Sequence, residues 1–469
     1  MPAAPTLKRG IRFRDLVLFY VAISLSVRWT ATSAAAGPSI LVVWVAALTC
    51  FFVPLAASVM ELSSRLPDEG GLYVWTREAF GDFAGFIAAW TYWMSNLPFF
   101  SGILYFGAAS ALFAFGARGQ RLAADPLYYL AFAVAWLAVI TLVNMRGVDA
   151  GKWLNNVSAL GVFVPLAALV TMAAISYWKF GPVMRYPAAS FVPHLTLDNA
   201  VFWSTVFFAF AGVEAGSSMG GEIVNPRRTI PWAILVGGSV LAIGYIGGTG
   251  ALLTALPAVA VSGPDGFVNG IGALSARLGA GWVLMPIALL VALNAVGGAA
   301  ANLSSTSRLP FVAGIDRYLP PAFGKIHPRY RTPWVAIAAY GLAGIAVALA
   351  GQAGTTVRGA YGVLVAMGIL STFLPYLFVF AAMMRLQARA AGPEVRRVPG
   401  GRPVAIALAA LGFASTALTI VLSAIPAHDE PHKALAVMKV VGGTVVLVGA
   451  GVAVFAVGRV RAGRRAASA

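Results

Sequence analysis

The chain has 469 residues, of which 59% are hydrophobic and only 10% charged, and its mean hydropathy is +0.83. Soluble domains are nearer a quarter charged, so an ordinary globular protein is excluded, and the continuous rather than alternating apolar runs exclude a β-barrel. The net charge of +17 does not indicate nucleic acid, because the basic residues lie in short loops and build no separate basic domain.

The chain therefore reads as an all-α integral membrane protein whose partner is the lipid bilayer. Apolar runs of roughly 20 residues, enough to cross about 30 Å of hydrocarbon, recur along its length. Spans are expected at 15–36, 40–60, 82–116, 126–145, 153–177, 199–221, 231–256, 281–306, 333–351, 360–384, 403–425 and 434–458. The third run is long enough to tilt or to extend beyond the bilayer. The polar N-terminus shows no cleavable signal, and the single cysteine, Cys50, permits no intrachain disulfide. A cytoplasmic N-terminus places Lys and Arg inside by roughly three to one, with the loop 385–402 among the inside segments, so both termini are expected inside.

Two spans have unusual interiors. The first carries Ser24, Ser26, Arg28, Thr30, Thr32 and Ser33 before Gly37-Pro38, which reads as the outer turn. The sixth carries Ala211-Gly212 and then Glu214. Small residues permit close helix packing, but they also weaken a helix and let a ligand approach the backbone. An intramembrane Arg or carboxylate costs about 2.5–3.5 kcal/mol on insertion scales and normally faces a cavity or a partner. Spans one and six stand five apart, the spacing at which an inverted repeat places matched broken helices around a midplane site. A break near 29–33 would put Arg28 at the C-terminal end of an inner half-helix. A break at 211–213 would put Glu214 at the start of another. The macrodipole would favour each charge there. An Arg28–Glu214 ion pair closing the inner side, or direct binding of a substrate carboxylate by Arg28, are the alternatives for these charges.

Three stretches resemble the amino acid–polyamine–organocation (APC) family of transporters: "FFAFAGVEAGSSMGGEIVNPRRTIP" its sixth-span signature, "ELSSRLPDEGGLYVWTREAFG" its second-to-third-span loop, and "RLPFVAGIDRYLPPAFGKIHPRYRTP" the loop after span eight. The resemblance implies a LeuT-like fold of about 12 transmembrane helices. Residues 15–177 and 199–384 would be the two inverted five-helix repeats, with 403–458 adding two helices to one transporter domain. It also implies alternating access and amino-acid-like substrates. The family's usual Gly-Ser-Gly break is replaced by "VRWTATS", closer to the glutamate/GABA antiporter branch. Val162 stands where many members carry a span-five Lys, which leaves the coupling ion open.

The candidate substrate-binding set is Arg28, Trp29, Thr30, Ser33, Asn96, Phe208, Ala211, Gly212 and Glu214, with Arg28 and Glu214 also gating or coupling. Each has a structural alternative: Asn96 as interhelical glue, Trp29, Phe208 and Trp93 as packing, Thr30, Ser33 and Ser217 as hydroxyls bonded back to their own helix. Asn294 and Asn302 are further cavity candidates. Glu61, Arg65, Asp68, Glu69, Arg77 and Glu78 read as a solvated inner network, and Glu222, Arg227 and Arg228 as interfacial. Exposed N–H groups at the first break would bind a substrate carboxylate, and free carbonyls at the sixth an ammonium.

The function expected is secondary transport of amino acids or related small molecules, as proton symporter or exchanger, in the cell (inner) membrane. A polyamine or organic amine permease is the alternative, and a channel or a membrane enzyme lies further off. No cofactor is expected, and no metal apart from the surface pair His428 and His432 as a remote candidate.

Overall fold

The computed structural model describes residues 9–116, 119, 121–183, 185–257, 265–315, 318–353, 356–425 and 433–467. Among these residues the regular elements are helices, with one isolated parallel bridge between Ile11 and Ile223. Eleven helices are long and apolar enough to cross a membrane, from Phe13–Ala34 to Met438–Arg461. Their outer faces carry large apolar side chains such as Ile243 (73% exposed) and Leu342 (68%), a surface suited to lipid rather than water.

The sixth expected span is not among the eleven, because it is interrupted. Helix α9, as numbered along the chain, covers Leu197–Ala209; turns follow at 210–214, then a 3-10 helix, Ala215–Glu222. The first span is also divided, into α1 (Phe13–Ser24) and α2 (Val27–Ala34), with Leu25 and Ser26 extended between them. This places the break earlier than the 29–33 expected. The hydroxyl residues that suggested the later position do not open the helix: Thr30 Oγ1 donates back to the Val27 carbonyl at 2.6 Å. The extended pair is instead held by Tyr245 of α10 (Pro226–Ala255), whose hydroxyl accepts from Ser26 N–H at 3.2 Å and donates to the Ser24 carbonyl.

The second span contains a π turn at Leu48–Phe52 between Ile40–Ala47 and Val53–Arg65. Pro54, the second residue after it, lacks an N–H, so the regular ladder is broken at that point. The third span is the 31-residue α6, Asp82–Leu112, which runs through Pro98. It packs against α12 (Leu284–Thr306) and α15 (Val357–Leu386), and α1 packs against α10. Trp44 stacks on Tyr245 with centroids 4.6 Å apart and donates to Thr249, and Phe210 meets both rings edge-on.

Short helices cover one end of this assembly: α5 (Leu72–Phe80) before α6, and α13 (Arg308–Ile315) after α12. They change the reading of the charges there. Glu61 is 1% exposed, pairs with Arg65 at 2.8 Å and accepts from Gln387 and from the Val398 N–H, so it is a buried hub rather than a solvated group. Glu222 is likewise buried, in a two-bonded ion pair with Arg308, both bonds 3.0 Å. Exposed pairs join Arg389 to Glu78 and Arg227 to Glu394.

Candidate functional site

The two breaks meet. Gly212 has a φ of +114°, which L side chains rarely adopt, and a Cβ there would lie 2.5 Å from Ser24 Oγ. Between them lies a cavity of about 40 Å³. From the first span it is lined by Ser24, Leu25, Ser26 and Trp29, and from the sixth by Phe208, Ala211, Gly212 and Glu214. Tyr92, Asn96 and Phe99 of α6, Asn294 and Asn302 of α12, and Thr372 and Tyr376 of α15 also reach it. Such a volume admits a few waters, and it is well below the roughly 300–1,000 Å³ of an open small-molecule pocket.

Glu214 is 1% exposed, and its carboxylate is enclosed by donors. Oε1 accepts from Tyr92 Oη at 2.5 Å and Tyr376 Oη at 2.8 Å, while Oε2 accepts from Gly212 N–H at 3.1 Å. Three spans thus converge on one acid. Also at the cavity, Trp29 meets Phe208 edge-on, centroids 5.7 Å apart, and Phe208 packs on Phe99 and Phe373. A carboxylate and an aromatic pair are thus both part of the cavity wall.

The backbone supplies further polar groups. The first N–H groups of α2 precede any intrahelical acceptor, although Trp29 N–H bonds the Ser26 carbonyl, and at the end of α9 the Phe207 and Phe208 carbonyls each accept one turn N–H, from Phe210 and Ala211, and keep a second lone pair. Residues of both ends, Ser26 and Trp29 from one and Phe208 and Ala209 from the other, border the cavity. That pairing of a donor terminus with an acceptor terminus fits a ligand carrying both signs of charge.

The candidates from sequence divide accordingly. Trp29, Asn96, Phe208, Ala211, Gly212 and Glu214 line the cavity, as do Asn294 and Asn302. Asn96 also donates to the Tyr92 carbonyl at 2.9 Å, and Asn294 to the Ser158 carbonyl at 3.1 Å, so the binding and bridging roles coexist. Arg28, Thr30 and Ser33 are buried on α2 but are not part of the lining. Ser217 bonds back to the Glu214 carbonyl, and Trp93 stacks on Tyr340 away from the cavity.

A family model for amino acid permeases matches residues 11–448. The chain belongs to the amino acid permease family. It is 25% identical to an uncharacterized transporter of Legionella pneumophila, over 94% of this chain and 95% of that one. It is 24% identical to a probable agmatine/putrescine antiporter of Lactococcus lactis, over 92% and 91%. With a serine/threonine exchanger of Bacillus subtilis it shares 26% identity over 60% and 61%. The permease is thus a multi-pass membrane protein and a secondary transporter.

Two features of the charges depart from the expectation. Arg28 does not pair with Glu214, whose oxygens are taken by two tyrosines and a backbone N–H; Arg28 Nε and Nη1 have no hydrogen-bond partner among the described residues. Because the break falls at 25–26, Arg28 also lies in the first turn of α2, where the helix dipole disfavours a cation. His428 and His432 lie outside the described residues, and among the described residues there is no cluster of three metal-ligating side chains.

Tyr92 and Tyr376 were not singled out by sequence reasoning. Tyrosines in apolar helices carry no periodic signal that separates a ligand to Glu214 from a packing ring. Val162 is fully buried and is not part of the cavity lining.

Proposed function

We propose that this permease carries amino acids, or close chemical relatives, by alternating access through the junction of spans one and six. The supporting observation is the contact of Gly212 with Ser24 beside Glu214, which gathers two broken helices, a carboxylate and an aromatic pair around one small cavity. In this reading the first turn of α2 receives the carboxylate, and the carbonyls ending α9, with Glu214 nearby, receive the ammonium. The small volume corresponds to a state in which Trp29 and Phe208 must separate before a substrate enters. Residues 15–177 and 199–384 act as inverted repeats, the two breaks holding equivalent positions in them, and 403–458 adds the remaining helices.

The permease works in the cell membrane with both termini cytoplasmic, the sense that the Lys and Arg bias favours. Exchange or proton symport supplies the driving force, and Glu214 is the acid placed to take up a proton. An organic amine as substrate is the second reading, favoured by the same buried carboxylate and by the similarity to the probable agmatine/putrescine antiporter of Lactococcus lactis.

Counterflow in proteoliposomes tests the proposal. Saturable uptake of a labelled amino acid, accelerated by unlabelled amino acid inside, is the expected result. Acceleration by diamines alone selects the second reading, and flux that neither saturates nor accelerates indicates a channel.

A further inference from the structure

Arg28 is 3% exposed, yet its Nε and Nη1 are buried with no acceptor among the described residues. Its guanidinium carbon lies 4.0 Å over the ring of Trp29 and 5.9 Å from that of Tyr361. Trp29 lines the central cavity, whereas Tyr361 lines a separate groove of about 270 Å³ that includes Ser204, Thr205 and Ser423. The cation is therefore held between the cavity's aromatic boundary and a second space, and it belongs to neither lining.

Three physical effects oppose a charge at this place. It is desolvated, it lacks a counter-ion, and it occupies the positive end of α2. Stacking on Trp29 returns part of the lost hydration, but it uses the face of the guanidinium and leaves the in-plane N–H edge unspent. That edge is the part that recognises a carboxylate, with two parallel hydrogen bonds. An unpaired arginine beside the residue that bounds the cavity is accounted for when an anion occupies it during the transport cycle.

We propose that Arg28 is a carboxylate-binding residue beside the aromatic boundary of the cavity, so that the permease selects substrates bearing a carboxylate over amines that lack one. This rests on the transport reading above and narrows it to one substrate class. The carboxylate pairs with Arg28 as Trp29 moves, and then passes to the donor terminus of α2 at the central site. Putrescine and agmatine, which have no carboxylate, leave the charge of Arg28 uncompensated.

Pairs of probes that differ only in the carboxylate test this: L-ornithine against putrescine, L-arginine against agmatine, and L-serine against ethanolamine. Thermal shift and counterflow are measured on the full-length wild type, Arg28→Gln and Arg28→Lys, each in chloride and in methanesulfonate. The expected result is a preference of about tenfold or more for the carboxylate member in at least one pair. Arg28→Gln loses that preference and, freed of an uncompensated charge, melts at a higher temperature without ligand; Arg28→Lys keeps part of the preference. An unchanged preference in Arg28→Gln overturns the assignment. So does a wild-type melting temperature that follows chloride while that of Arg28→Gln does not, since chloride would then be the counter-ion. Wild-type selection of the amine members overturns it too, with transport itself upheld. A wild type that neither binds nor exchanges any of the six probes removes the amino acid and amine reading, and this inference with it.

Discussion

Gly212 and Ser24 touch where the two interrupted spans cross, and a Cβ on Gly212 would stand 2.5 Å from the serine hydroxyl. The backbone φ of +114° at Gly212 adds a conformational penalty for any L side chain. Gly212→Ala is expected to lower transport by about tenfold or more, an effect worth about 1.4 kcal/mol, and Gly212→Leu to abolish it, with surface expression retained in both. Uptake assays normalised to membrane protein check this. Undiminished transport by the leucine variant would reduce Gly212 to a packing residue.

Tyr92 and Tyr376 share Oε1 of Glu214. Hydrogen bonds to charged groups contribute about 1.5–3 kcal/mol, so Tyr92→Phe and Tyr376→Phe should each weaken substrate binding by roughly tenfold or more. The double variant should be non-additive, because the two donors act on one acceptor. Isothermal binding measurements on the four proteins of the cycle decide it; strict additivity would argue that the tyrosines act independently. By contrast, swapping Arg28 and Glu214 should restore nothing, since the two are not paired.

The span boundaries were legible because a bilayer imposes a length and a polarity that a linear sequence records directly; 126–145 was placed to the residue. The break in span six was legible for a local reason as well, since Gly212 and Glu214 are adjacent to it in sequence. The break in span one was misplaced because its cause is not local. Tyr245, from another span, replaces the missing helical bonds of Ser24 and Ser26. Glu61 and Glu222 were misread for a related reason. Both lie where apolar runs give way to polar loops, and only the folding of α5, α13 and the 385–402 loop over that end buries them.

The orientation has its own test. Ala390 is exposed in the arginine-rich loop 385–402. In a Cys50→Ala background, Ala390→Cys should resist an impermeant maleimide in intact cells and react fully after permeabilisation. Labelling of intact cells would invert the topology and place Glu222, Arg308 and their neighbours on the outside.

The last prediction concerns Glu222, Arg308 and Glu69, which close one end of the permease. The Arg308–Glu222 pair is buried at both partners, and the N–H groups of Gly10 and Ile11 bond the Glu222 carbonyl, tying the N-terminal segment to the end of span six. The turn at 67–71 presses on the same 3-10 helix: Gly70 N–H bonds the Ser218 carbonyl, and a Cβ at Gly71 would stand 2.3 Å from Ser217 Oγ. Removing one partner of a buried ion pair leaves the other uncompensated, so Arg308→Ala should destabilise this closed arrangement by about 3–5 kcal/mol. Glu69 adds a pH dependence. Burial, reinforced by the nearby Glu222 carboxylate, pushes its carboxyl well above the usual carboxylate range, while Arg308 and the Gly221 N–H act in the opposite sense. Its Oε2 accepts from Gly221 at 2.7 Å, and its Oε1 is buried without a partner. An acid whose folded-state pKa is raised contributes stability that is fully present below its unfolded value of about 4.3 and is lost as pH rises through the folded value. The melting temperature of the detergent-solubilised protein should therefore fall on that limb as pH rises. Glu69→Gln should flatten the fall and melt higher than wild type at neutral pH. A pH profile identical in the two proteins would show that Glu69 holds the same charge folded and unfolded, and would leave the Arg308–Glu222 pair as the main electrostatic tie at this end.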